Sequence, residues 1–282
     1  MAAVEGTAEA QDAQARFDAR GRLVLALVLV LVAIQGLRAT LSTEDDVRLL
    51  LTFAFVPAGF ARLFDPANVA SSAAGLVHRD ALSVEDAVLL LGPNGFRWWT
   101  PLTYALLHGS WTHVLVNGVW LAAFGSAVAR RFGAVRFLLF FAVTAIGGVV
   151  AHSAIHFFEF SPLVGASAAI SGAMAAAARF AFAPGAPLGP WARRGVLAAY
   201  QGPPLPLRNI LRDPRVVAFL ATWFAVNLLF GVVAAPFDTT DASIAWEAHI
   251  GGFVTGLFLF RLFDPPPPSL SGSESVPPQT AA

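Results

Sequence analysis

Ser167 sits in the small-residue run Gly165-Ala166-Ser167-Ala168-Ala169-Ile170-Ser171-Gly172, and His249 in Ala248-His249-Ile250-Gly251-Gly252, with Gly256 following. A serine hydroxyl is a poor nucleophile until a base removes its proton, and an imidazole that titrates near neutrality is the usual base. Brought together, Ser167 and His249 would support acyl transfer. His113 and Asn117 are spaced i, i+4 and share one face of a helix. An imidazole, a side-chain amide and a backbone N–H beside Ser167 are the donors a developing oxyanion needs. Glu247 lies close to His249 in sequence but, two residues away on a helix, points elsewhere. With no cysteine in the chain, a thiol nucleophile, a disulfide framework and a thiolate metal site are all excluded.

The elements that must position these residues are membrane helices. A hydrophobic content of 56%, a charged content of 13% and a mean hydropathy of +0.65 exclude a soluble fold. Eighteen basic residues against 18 acidic ones give a formal net charge of zero, which leaves no field to hold nucleic acid. A helix crosses the hydrocarbon core with about 20 apolar residues, because no backbone polar group can be left unpaired there. Segments 22–41, 105–129, 135–155, 163–183, 216–236 and 243–263 meet that requirement, and the expected fold is all-α, a polytopic bundle of six transmembrane helices over 21–263. The second, fourth and sixth segments enter from one side. Ser167 lies four residues into the fourth and His249 six into the sixth, which predicts matching depths of roughly 6–9 Å. Gly165, Gly252 and Gly256 belong to small-residue stripes that let helix backbones approach closely.

Short connections set orientation. Arg130, Arg131 and Arg136 follow the second segment, and Arg193, Arg194, Arg208, Arg212 and Arg215 follow the fourth, which puts these connections and both termini in the cytoplasm. Every basic residue is arginine and alanine is abundant, a bias that resembles GC-rich bacterial genomes; a multi-pass protein of a bacterial inner membrane is expected. The stretch 42–104 forms a long first loop on the outer side, partly inserted at the interface. Its apolar run Leu49–Phe60 is too short to span and contains Pro57, while Trp98 and Trp99 suit the headgroup region. The tails 1–20 and 264–282, with nothing to bury, are expected to be disordered.

The stretch His108-Gly109-Ser110-Trp111-Thr112-His113-Val114-Leu115-Val116-Asn117, the element Gly165-Ala166-Ser167 and the run Ala248–Gly256 resemble, in order and spacing, the three signature regions of the rhomboid intramembrane serine proteases. The resemblance covers roughly residues 22–263. It implies a six-helix core, Ser167 as nucleophile, His249 as general base, and His113, Asn117 and the Ser167 N–H as oxyanion donors. It further implies cleavage, within the lipid bilayer, of single-pass transmembrane substrates in or beside their membrane helix, with no metal and no cofactor. Segment five and the loop after it would then gate substrate access. Two departures stand out. Ala168 follows the nucleophile where the family usually has glycine, and Trp99 is followed by Thr100 where a Trp-Arg pair is usual.

Other readings attach to several residues. His108, beside Gly109, is expected to hold the first loop through a structural hydrogen bond; His152 and His156 read as interhelical glue; Asn227 has no assigned partner. A rhomboid-like protein that binds transmembrane clients with weak or no catalysis is one alternative function. A small transporter is another, though the chain lacks the repeats and charged midplane such proteins carry. No interface signature beyond helix packing indicates an oligomeric state.

Overall fold

The computed structural model describes residues 2–91, 97–182, 200, 202–229 and 245–266. The regular elements among these residues are all helices, without a strand; a single antiparallel bridge joins Phe55 to Leu163. Helix α1 runs unbroken from Ala2 to Arg38. Residues 2–20, expected to be disordered, are thus the first half of this helix. The physical reason is that Phe17 has a place to bury itself: it is 1% exposed, with the Tyr200 ring 5.3 Å away and the Arg130 guanidinium 5.0 Å from its face. Of the tail 264–282, only 264–266 are described; the rest lies outside the described residues.

The long first loop is a small helical subassembly. It comprises α2 (Thr43–Phe53), α3 (Pro57–Ala61), α4 (Pro66–His78), α5 (Val84–Leu91) and α6 (Thr100–Thr103). Ser42 caps α2 by accepting from the Asp45 N–H, Asp65 caps α4 in the same way from Asn68, and Pro57 opens α3 where a missing N–H costs nothing. Leu51, Val56, Ala58, Ala61, Val69 and Leu90 give it a core of its own. Trp98 is exposed, whereas Trp99 is tied inward by its Nε1, which donates to the Thr52 carbonyl at 3.0 Å.

Among the described residues, two helical stretches are long and apolar enough to cross a membrane, each of 22 residues. The first is Trp111–Phe132: α7 (Trp111–Trp120), a π turn at Leu121–Gly125 and α8 (Ser126–Phe132). The second is α9 (Ala134–Ile155), separated from α8 by Gly133 at φ +84°. Arg130 and Arg131, expected in a cytoplasmic loop, instead belong to the last turn of α8 and are buried. The chain continues as α10 (Ser167–Ala177), α11 (Leu207–Ile210), α12 (Pro214–Leu228) and α13 (Trp246–Phe263). Helix α10 has 11 residues, shorter than the expected 163–183, and at 1.5 Å per residue it covers about 16 Å, well under the hydrocarbon thickness. The fourth segment is therefore extended chain followed by a short helix. Arg193, Arg194 and residues 230–244 lie outside the described residues.

Helices α9, α10 and α13 form the centre. Their contact is backbone against backbone: a Cβ at Gly251 would stand 2.4 Å from the Gly147 carbonyl oxygen, and one at Gly256 would stand 2.5 Å from that of Gly172. The small-residue stripes are the means by which these three helices interlock.

Candidate active site

Ser167 is the first residue of α10, so its position depends on the turn before it. Gly165 adopts φ +120°, which side chains rarely tolerate, and a Cβ there would lie 2.8 Å from the His113 Nε2. The Gly165 N–H donates to the Tyr104 carbonyl at 3.0 Å, while the Tyr104 hydroxyl donates to the Ala145 carbonyl at 2.8 Å. Tyr104, itself fully buried, thus pins the Ser167 turn to both the first loop and α9. Within Gly165–Ala181 every residue is buried except Ser167.

The residue before the helix, Ala166, has no side-chain cap to offer, and the first intrahelical bond runs from the Ile170 N–H to the Ala166 carbonyl. The N–H groups of Ser167, Ala168 and Ala169 therefore lack intrahelical acceptors and bring the positive end of the helix dipole to the serine. Ala168, the departure from the family's usual glycine, is itself packed: a Cβ at Gly148 would meet its methyl at 2.4 Å.

His113 stands in the first turn of α7, which Ser110 caps by accepting from the His113 N–H at 3.1 Å. Its ring lies against Gly165 on one side and meets the His108 ring edge-on, with centroids 5.0 Å apart. The loop-holding hydrogen bond expected of His108 runs through its backbone, because its carbonyl accepts from Arg38 Nη1, and Arg38 in turn forks onto Asp46 at 2.7 and 3.0 Å. One turn along α7, Asn117 is 4% exposed, and its Nδ2 is a buried donor without a partner. Such a group costs free energy unless something else uses it.

His249 lies in the first turn of α13. Gly252, one turn further on, crosses α10 so closely that a Cβ would fall 2.0 Å from the Ala168 carbonyl oxygen, which brings the His249 region of α13 to the start of α10. Ser167 begins its helix rather than lying four residues inside it, so the depth reckoned from the start of the fourth segment does not hold. His249 Nδ1 is hydrogen-bonded to Asn227 Oδ1 on α12. Asn227 Nδ2 donates to the Trp223 carbonyl at 2.8 Å, which fixes the amide so that its oxygen faces the imidazole. Along Pro214–Asn227 only Val216 and Asn227 are buried, so α12 is an edge helix that turns one polar side chain inward. Asn227, a polar residue alone in an apolar run, carries a signal in the sequence, but its partner is not visible there because it lies on another helix.

Glu247 points away from the site, as expected from its position, and bonds His156 Nε2 at 3.0 Å. Ser171 is buried in the α10 interior.

A Rhomboid domain is matched over residues 95–264, more than half of the chain. The chain is also similar to the "Rhomboid protease GluP" of Bacillus subtilis (strain 168), 29% identical over 163 residues, which are 57% of this chain and 25% of that relative. It thus spans about a quarter of the length of that relative.

Proposed function

This chain belongs to the rhomboid family, and from that premise we propose that it is an intramembrane serine protease in which Ser167 is the nucleophile and His249 the general base. Family membership makes it a membrane protein, and the two apolar 22-residue helices fit that. The observation that carries the reading is the setting of Ser167: a partly exposed residue at an uncapped helix start, within an otherwise buried stretch, with the His113 ring against the preceding Gly165 and an orphaned Asn117 amide one turn further along α7.

The chemistry follows from those groups. With its Nδ1 proton donated to Asn227, His249 keeps the Nε2 lone pair free to take the Ser167 proton. Ser167 Oγ attacks the scissile carbonyl, and the resulting oxyanion is held by the Ser167 N–H, Asn117 Nδ2 and His113. His249 then hands its proton to the leaving amine, and water admitted to the site hydrolyses the acyl-serine ester. His249 is the catalytic base, and Asn227 is a positioning residue acting through it.

The topology proposed is a six-span bundle in a bacterial inner membrane, with both termini and the arginine-rich connections cytoplasmic and Ser167 opening outward. Its substrates are single-pass transmembrane proteins, admitted past the loosely packed α12. In proteoliposomes holding a transmembrane reporter, the wild-type protein should cut and Ser167→Ala should not; cutting by Ser167→Ala would end the assignment. Because the chain has no cysteine, a single cysteine at Ala134 should react with an impermeant maleimide only after permeabilisation, and one at Ser243, outside the described residues, without it. The reverse pattern would invert the topology.

A further inference from the structure

We propose that His152, His156 and Glu247 form a binding site for a zinc-type divalent cation that clamps the end of α9 to the start of α13. His152 lies in the last turn of α9 and His156, four residues on, is the C-cap of that helix, a spacing by which a helix end can offer two imidazoles to a single metal. Their rings lie face to face with centroids 4.7 Å apart, and Glu247 reaches across from α13. One donor atom from each of the three lies within 4.8 Å of the others. Tetrahedral coordination at about 2.0–2.2 Å would require these atoms to draw together by only about an ångström.

Two features point to a ligand rather than to plain packing. First, His152 is 7% exposed, and its Nδ1 stands 3.8 Å from Glu247 Oε2, too far to bond, and has no hydrogen-bond partner. A buried imidazole nitrogen facing a buried carboxylate across a gap is costly unless something fills the gap. Second, His156 uses both nitrogens: Nε2 faces Glu247 at 3.0 Å, while Nδ1 lies 2.5 Å from Glu159. A carboxylate behind the far nitrogen of a ligating histidine is the arrangement that fixes its tautomer and raises its basicity.

Two imidazoles and a carboxylate suit zinc and neighbouring first-row ions, not calcium or magnesium. Ser153 occupies the position where a hydrolytic zinc helix of this spacing carries its general-base glutamate, so the site is a clamp and takes no part in peptide hydrolysis. Its bearing on function is positional, since Glu247 is two residues before His249 on the same helix turn. The site stands whether or not the chain is a protease.

The test is zinc titration by calorimetry of the full chain, purified in detergent without a histidine tag, with cobalt absorption reporting ligand geometry. One equivalent should bind the wild-type protein and raise its thermal midpoint. His156→Ala should lose this binding. Glu159→Gln, a conservative change on a more exposed residue, should weaken it by about 10- to 100-fold. His113→Ala should bind as wild type. Less than stoichiometric uptake by the wild type, unchanged binding by His156→Ala or loss of binding by His113→Ala would each overturn the proposal.

Discussion

The two ends of α10 treat polar groups in opposite ways. Past its C-terminal end, Arg131 forks onto Asp264 at 2.6 and 2.9 Å and donates to the Tyr200 and Gly202 carbonyls at 2.7 and 3.0 Å. Nearby, Arg179 donates to the Leu205 carbonyl at 2.8 Å and covers the Phe260 ring at 4.6 Å. At the N-terminal end the Asn117 amide is unpartnered, the helix has no side-chain cap and Ser167 is left accessible. Removing one partner of a buried ion pair is costly because it strands the other charge, whereas a buried donor without a partner needs an explanation, of which a group that binds it is one. The arginine end thus reads as the fastener of the fold and the serine end as its working face.

Mutations should separate the two ends. The largest effect is expected from Ser167→Ala or His249→Ala, which should each lower turnover of a transmembrane substrate on the order of 10⁶-fold, the scale seen when a nucleophile or base is removed, with the double variant no worse. Thermal stability should barely move; a large fall would make these residues structural. Arg131→Ala should do the converse. Removing one partner of a buried ion pair costs about 3–5 kcal/mol, read as a lower denaturation midpoint, with activity per folded molecule retained. Asn117→Ala should slow turnover by about 10²–10³-fold, as expected for one oxyanion donor, with stability unchanged or slightly raised because an unpaired buried amide is lost. Asn227→Ala, which frees the imidazole without touching substrate, should cost about 10²-fold in kcat with little change in KM. If Asn227→Asp, which keeps the accepting oxygen, restored none of that loss, the positioning role would be wrong.

The residues proposed to react stand out in the sequence because their types are rare inside a membrane and their neighbours are small. His113 and Asn117 share a face as their spacing required, and the glycines of α13 interlock with α10 as the stripes implied. Helix starts were less legible. Ser167 opens α10 because Gly165 takes a positive φ and redirects the chain, a backbone event no hydrophobic window detects. The α1 extension to Ala2 depends on Phe17 finding Tyr200 and Arg130, partners more than a hundred residues away. Asn227 stayed unexplained for the same reason, since its partner lies on another helix. Arg130 and Arg131 looked like solvated loop charges, and only tertiary packing supplies the carbonyls and rings that bury them.

The central claim is that Ser167 is a hydroxyl activated by His249. It is tested most directly by treating the detergent-solubilised protein with a fluorophosphonate and locating the adduct by mass spectrometry. The expected result is one adduct, on Ser167, absent from Ser167→Ala and nearly absent from His249→Ala, but still formed by Arg131→Ala molecules that remain folded. Labelling that persists in Ser167→Ala, or that His249→Ala leaves untouched, would contradict it.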